Sequence, residues 1–134
     1  MSSLRSIGVA IAAACLAASF PSQAQNANVS RPGDACFYSN QFESWRAPDD
    51  KTIIIRVGLS RYYRLDFVGS CIGITWPSSH LVTRVHGADL ICKPLDWDLT
   101  VVDSAGGFEH ACIVKSMTQL TPEEVASIPA KFKP

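Results

Sequence analysis

The sequence predicts a mainly β fold, a small antiparallel β-sandwich or partly open barrel with a short C-terminal helix and two disulfides. Alternating apolar and polar residues, clearest in Arg61–Phe67 and Trp97–Asp103, have the period of strands with one face on a core. Turn-forming residues separate these stretches. Beyond an export-type N-terminus the chain has four cysteines, an even number that is typical of disulfide-bonded exported domains.

The N-terminus predicts a secretory signal peptide over residues 1–24. Arg5 supplies a positive charge, Ile7–Ala18 is an apolar run too short to span a bilayer, and small residues precede an expected cleavage site before Gln25. A lipoprotein signal acylated at Cys15 is the alternative, which we disfavour because the apolar run continues past that cysteine. We therefore expect a soluble periplasmic or secreted protein.

The remainder predicts one domain. Residues 25–35 are polar and aperiodic, which indicates a disordered lead-in, and residues 36–134 suit a single domain. No further stretch is apolar enough to span a membrane. Twelve Lys and Arg residues balance twelve Asp and Glu residues, so net charge gives no reason to expect nucleic-acid binding. We expect a monomer without a cofactor.

Three strands are predicted in the first half of the domain. Phe42–Trp45 is a short candidate, and Lys51–Val57 is favoured by three consecutive isoleucines. The turn at Gly58–Ser60 predicts a hairpin to Arg61–Phe67. In these two long strands the residues Ile53, Ile55, Val57, Tyr63, Leu65 and Phe67 are expected to face the core.

The second half predicts three more strands and one ambiguous segment. His80–His86 alternates like a strand, although Ser79 could also cap a helical turn. Leu90–Leu95 predicts an edge strand because it contains Pro94. Trp97–Asp103 and Phe108–Lys115 predict a hairpin around a glycine-containing turn. The whole domain would then have six or seven strands.

A short helix is predicted near the C-terminus. Thr121 and Glu124 have the spacing of a capping box, and Pro122 occupies the first helical position. Leu120 and Val125 have the spacing of a hydrophobic staple. We expect the helix to run from Pro122 to Ile128 and to close one end of the core.

Cys36, Cys71, Cys92 and Cys112 predict two disulfides. Their spacing contains no Cys-x-x-Cys pair of the kind that binds zinc. Four cysteines allow three connectivities, and the sequence leaves them open. Our working expectation is Cys71–Cys92 with Cys36–Cys112, in which the second bond joins the start of the domain to its last strand.

One group of side chains is a candidate binding surface. Arg56, Arg61, Tyr62 and Arg64 fall within two neighbouring predicted strands and combine positive charge with an aromatic ring. Cross-strand packing on a solvated face is the simpler interpretation. As a function, the sequence favours a non-enzymatic binding module whose partner is a periplasmic protein or a small anionic ligand.

Two other functions have weaker support. A metal-dependent or hydrolytic enzyme could use His80, His86 or His110 with Asp89, but their spacing matches no established ligand pattern and we predict no metal site. Residues 69–73 have the Gly-x-nucleophile-x-Gly spacing of a hydrolase elbow, yet no helix follows, so Cys71 is interpreted as a half-cystine. A protease-inhibitor-like module would expose Trp76 in a loop braced by Cys71–Cys92.

Several short motifs extend over most of the domain. They include Cys36, Ser44-Trp45-Arg46, Asp49-Asp50, Tyr63-Arg64-Leu65, Ile91-Cys92, Cys112 and Leu120-Thr121-Pro122-Glu123-Glu124-Val125. With these motifs the chain resembles a family of small exported four-cysteine proteins of Gram-negative bacteria that is catalogued as a domain of unknown function. The resemblance implies a periplasmic or secreted location and a small disulfide-bonded β fold. It implies no activity, ligand or catalytic residue.

Overall fold

The computed structural model of the chain describes residues 35–134. The predicted signal peptide over residues 1–24, with Cys15, and nearly all of the predicted lead-in over residues 25–35 lie outside this range. Within it, no helix has the length and apolar character needed to cross a membrane. That residues 36–134 form one domain stays a prediction.

The described residues form nine strands and one short α-helix. The strands are β1 (Phe37–Tyr38), β2 (Phe42–Arg46), β3 (Thr52–Val57), β4 (Arg61–Phe67), β5 (Ser79–Val85), β6 (Leu90–Ile91), β7 (Trp97–Asp103), β8 (Glu109–Cys112) and β9 (Val114–Gln119). The helix α1 spans Pro122–Ser127, and short 3₁₀ turns lie at Ser39–Gln41, Pro94–Asp96 and Ala130–Phe132.

The strands are arranged in three antiparallel sheets. A four-stranded sheet has the order β2-β3-β4-β9, a three-stranded sheet has the order β5-β7-β8, and β1 pairs with β6. The predicted mainly β class, short C-terminal helix and two disulfides are confirmed, and the sheets do not close into a barrel. The ambiguous segment at residues 80–86 is a strand, because its alternating residues pair with β7 along their whole length.

The core is built from the inward residues of the long strands. The side chains predicted to face it from β3 and β4 are buried, and they pack in one cluster with inward residues of β7 and the small β1–β6 sheet. The ring of Phe37 connects β4 to β7, because its centroid lies 5.1 Å from that of Tyr63 and 5.7 Å from that of Trp97. The cluster includes Phe37, Ile53, Ile55, Val57, Tyr63, Leu65, Phe67, Ile74, Ile91, Trp97, Leu99 and Val101.

The outer face of β3 is covered as well. Thr52 and Ile54 are buried although the alternation placed them towards water. A cleft over this face is lined by Ile54 together with Leu120 and Ile128, which flank α1. The C-terminal helix therefore lies over the outer face of the four-stranded sheet, and the residues around it shield the second face of β3.

The predicted strand Phe108–Lys115 is wrong as a single element. The chain breaks at Ile113, so that β8 pairs with β7 in one sheet and β9 pairs with β4 in the other. Strand β9 was not predicted as a separate strand. Only Val114 and Met117 of its six residues pack in the core cluster, so its sequence has no clear alternation of apolar and polar residues. The predicted strand Leu90–Leu95 is also shorter, since only Leu90–Ile91 pair before the 3₁₀ turn.

All four predicted cysteines form disulfides, but the expected pairing is wrong. The bonds are Cys36–Cys92 and Cys71–Cys112, with Cα atoms 4.2 Å and 5.2 Å apart. Phe37 is the register partner of Ile91, which brings the preceding Cys36 opposite Cys92. Two-residue strands carry no detectable alternation, so this register is visible only in the folded chain.

Candidate functional site

The predicted basic group is divided between the two faces of the four-stranded sheet. Arg56 and Tyr62 are register partners, and Arg64 lies two residues beyond Tyr62 on the same outer face. Arg61 has the opposite orientation, together with the buried Tyr63. The structure thus brings three of the four predicted residues together and separates the fourth.

Arg61 is engaged within the fold. Its Nη1 donates to the backbone carbonyl of Cys36 at 3.0 Å and its Nη2 to Oε1 of Gln41 at 3.0 Å. A longer contact of 3.5 Å joins Nη1 to the hydroxyl of Tyr63. These contacts tie the end of the four-stranded sheet to the segment that carries the first disulfide, which is a structural role.

Arg64 is paired with Asp66. Arg64 Nε lies 2.9 Å from Asp66 Oδ1, and Ser116 and Thr52 also donate to the Asp66 carboxylate, at 3.0 Å and 3.3 Å. Partial burial by itself raises the pKa of Asp66, but these three hydrogen bonds and the Arg64 charge outweigh it and lower the pKa below 3.8. Arg64 is therefore committed to a partner of its own sheet.

Arg56 has a different environment. Its Nε is buried without a hydrogen-bond partner within the described chain, as is the hydroxyl of Ser44, its register partner on β2. The Arg56, Tyr62 and Arg64 surface stays a predicted binding site, in which the guanidinium of Arg64 is paired with Asp66 of the same strand.

The three histidines lie in separate environments. His80 Nδ1 is 3.2 Å from the hydroxyl of Ser104, and His86 Nε2 is 2.9 Å from Asp98 Oδ2. His110 is on the inner side of the three-stranded sheet, where its ring stacks on that of Phe108 with 6.1 Å between centroids. Within residues 35–134 no group of three or more His, Cys, Asp or Glu side chains is placed to hold a metal ion.

A serine, a histidine and an aspartate do meet at one end of β5, without forming a catalytic triad. The Ser104 hydroxyl donates to the carbonyl of Ser78 at 3.1 Å, so its proton is already engaged. Asp103 accepts from the hydroxyl of Ser78 and from the amide of Ala105, and these bonds lower its pKa. Asp103 thus braces the hairpin turn, in the manner of an Asx turn, and does not orient His80.

The brace expected for an inhibitor loop is absent, because Cys71 and Cys92 are bonded to other cysteines. Trp76 is partly exposed, and its ring packs on Phe108 with 5.2 Å between centroids. Cys71 is a half-cystine, as predicted from the lack of a helix after it.

The sequence did not predict a cleft of about 520 Å³ on the outer face of the three-stranded sheet. Three apolar side chains that line it are exposed to water, Val82 by 48%, Leu95 by 81% and Ile113 by 69%. Ionisable side chains share the same surface, namely Arg84, His86, Asp98 and Glu109. We refer to these seven residues as the sheet cleft.

The strand register explains the floor of the sheet cleft. Val82 is paired with Thr100, and Thr100 is paired with Ala111, so two of the central side chains on this face are small. Leu95 comes from the 3₁₀ turn before β7, and Ile113 comes from the break between β8 and β9. The alternation of β5 could have located Val82, but the other two apolar residues lie on irregular segments with no such signal.

Two charged side chains of the sheet cleft form no ion pair with the described residues. His86 and Asp98 are paired, whereas neither Arg84 nor Glu109 forms an ion pair with the described residues. Trp97, only 3% exposed, also lines the cleft, and its indole Nε1 has no hydrogen-bond partner in that part of the chain. Exposed apolar side chains and two unpaired charges are therefore combined on one surface.

Comparison with known proteins agrees with the four-cysteine resemblance. No curated protein and no solved structure gives a significant match to this chain. A family of unknown function matches residues 2–130, which is nearly the entire sequence. With that match and the disulfide-bonded β fold, the chain belongs to the Family of unknown function (DUF6491).

Proposed function

We propose that the protein is a non-enzymatic binding module whose binding surface is the sheet cleft. The observation that carries this proposal is the exposure of Val82, Leu95 and Ile113 beside the unpaired charges of Arg84 and Glu109. Exposed apolar side chains that cluster inside a charged rim are typical of interaction surfaces. The volume of about 520 Å³ also falls in the range of small-ligand sites.

We further propose that this module works in an oxidising compartment, the periplasm or the extracellular space. Two disulfides support this location, because cytosolic thiols are kept reduced. The signal-like features of residues 1–24 support it independently. The partner is a protein of that compartment or a small anionic ligand, for which Arg84 supplies the positive charge.

The proposal is tested by comparing two surfaces of the same protein. In the first variant Leu95→Asp and Ile113→Asp place charge in the sheet cleft, at side chains exposed enough to change folding stability by less than about 0.5 kcal/mol. In the second, Arg56→Gln and Arg64→Gln neutralise the surface predicted from sequence. Wild type and both variants are used to capture partners from periplasmic extract, with bound molecules identified and quantified by mass spectrometry.

We expect the sheet-cleft variant to lose captured partner by on the order of tenfold and the arginine variant to keep it. If only the arginine variant lost captured partner, the binding site would be the predicted arginine surface, which would contradict the proposal. Circular dichroism and unfolding midpoints of all three proteins show that any loss comes from the surface and not from the fold.

A further inference from the structure

The edge strand β5 borders the sheet cleft and is open on one side. It pairs with β7 over all seven residues with no register shift, and within residues 35–134 no strand pairs with its other edge. Natural sheets usually protect such an edge with proline, a bulge, lysine or a short length. Ser79–Val85 has no proline, bulge or lysine and is seven residues long, and Arg84 is its one arginine, so β5 is a regular template for an added strand.

The backbone groups that face the open edge can be assigned. The amide of His86 donates to the carbonyl of Asp96, which is the next pair in the β5–β7 register. Even-numbered residues of β5 therefore form the hydrogen-bonded pairs with β7. The N–H and C=O groups of Leu81, Thr83 and Val85 point away from β7, towards the open edge.

Side chains near this edge indicate what kind of strand would fit. Leu81 and Val85 are only partly buried although they pack against the core, so an apolar neighbour would complete their burial. On the outer side, Arg84 has no ion pair within the described residues, because its register partner Asp98 is bonded to His86. An acidic residue beside Arg84 would supply the missing opposite charge.

We propose that β5 docks an extended peptide in which apolar and acidic residues alternate, by adding it as a further antiparallel strand to the three-stranded sheet. The apolar side chains lie beside Leu81, Thr83 and Val85, and the acidic side chains lie beside Arg84 on the face of the sheet cleft. The inference deepens the proposed function, because it specifies the partner as an extended acidic segment of a protein.

A second copy of this chain is a poorer occupant. Antiparallel pairing of two β5 strands about Val82 would place His80 of one copy beside Arg84 of the other, at both ends of the contact. It offers Arg84 no carboxylate, since β5 contains no acidic residue. Charge complementarity thus favours an acidic peptide.

The probe is a labelled nine-residue peptide of alternating valine and glutamate with blocked ends, and binding is followed by fluorescence anisotropy at neutral pH. In the docked strand the valine amides face β5 and the glutamate amides face solvent. N-methylation of the valines should therefore abolish binding, whereas N-methylation of the glutamates should leave it unchanged. This pair of peptides tests the backbone ladder on the wild-type protein, without any substitution.

Two variants test the protein side. Thr83→Pro removes an amide that faces the open edge and no bond to β7, so the sheet should persist while affinity falls about tenfold. Arg84→Glu should weaken the glutamate peptide by roughly fivefold and strengthen a matched valine–lysine peptide. Thr118→Ala, at an exposed position on β9 of the four-stranded sheet, is the control and should bind like wild type.

Equal binding of the two N-methylated peptides, or undiminished binding to a folded Thr83→Pro protein, would overturn the inference. So would a wild-type dimer that Thr83→Pro converts to monomer, because a second copy would then occupy the edge. Should the peptide fail while the Leu95→Asp and Ile113→Asp changes still remove captured partners, the strand-docking inference is wrong and the binding module stands.

Discussion

Arg61 shows at the scale of single residues how a predicted binding side chain can be a structural one. Replacing it by Met would remove the side-chain donor to the carbonyl of Cys36 and one of the two donors to Oε1 of Gln41, which also accepts from the Tyr38 amide. We expect Arg61→Met to lower the free energy of unfolding by about 1–3 kcal/mol, measured by urea denaturation.

The matched control is Arg64→Met on the same strand. Arg64 is 55% exposed, and a solvent-exposed ion pair contributes about 1 kcal/mol or less. If both substitutions cost the same, the hydrogen bonds of Arg61 do not stabilise the segment around Cys36.

Asp66 provides a prediction on pH. Its pKa is lower in the folded protein than in the unfolded chain, so the unfolded state binds more protons as the pH falls. The stabilisation is present above the unfolded pKa, near 3.8, and is lost as the pH decreases through the folded value. Below about pH 4, we expect the urea midpoint of wild type to decrease more steeply with falling pH than the midpoint of Asp66→Asn.

Asp103 has a lowered pKa as well, so the Asp66→Asn protein should keep a weaker decline in the same pH range. Identical pH profiles of wild type and Asp66→Asn would mean that the contacts from Arg64, Ser116 and Thr52 do not favour the ionised carboxylate.

Helix α1 is the element whose stability depends most visibly on one residue. The amide of Glu124 donates to the Thr121 hydroxyl at 3.3 Å, and the Glu124 carboxylate accepts from the Thr121 amide at 2.7 Å. A six-residue helix has little stability of its own. We expect Thr121→Ala to cost about 1 kcal/mol and to speed hydrogen exchange at the amide of Val125, which bonds to Thr121.

Thr118→Ala, at an exposed position on β9, is the control for loss of a threonine side chain. Exchange at Val125 that is unaffected by Thr121→Ala would show that packing on Ile54, and not the cap, holds the helix.

Elements with a strong local pattern were predictable from the sequence, as β4, β7 and the capped start of α1 demonstrate. Their bounds follow from alternation, turn residues and side-chain caps within a few positions. The two-residue strands and the break at Ile113 were not predictable, because pairing with distant strands determines them. The sheet cleft depends on that break, whereas the arginine surface lies on two strands with clear alternation and was therefore predictable.

The disulfides act on the molecule as a whole. Cys36–Cys92 and Cys71–Cys112 close loops with sequence separations of 56 and 41, and these loops overlap. In the loop-entropy model each bond is worth about 4 kcal/mol. We expect Cys71→Ala with Cys112→Ala to lower the free energy of unfolding more than Cys36→Ala with Cys92→Ala, because both residues of the former bond are buried while Cys92 is exposed.

Urea denaturation of the two double variants measures this difference, and peptide mapping of unreduced protein checks the pairing directly. Recovery of a peptide that links Cys71 to Cys92 would contradict the connectivity of the fold.

The sequence by itself determined the mainly β class, the inward faces of the long strands, the participation of all four cysteines in disulfides and the capped helix. Each depends on interactions between residues close in sequence or on composition. Only the tertiary structure decided which cysteines pair, which sheet each end of the segment 108–119 joins, and which exposed side chains meet in the sheet cleft. Those features depend on contacts between residues tens of positions apart, and no local pattern encodes them.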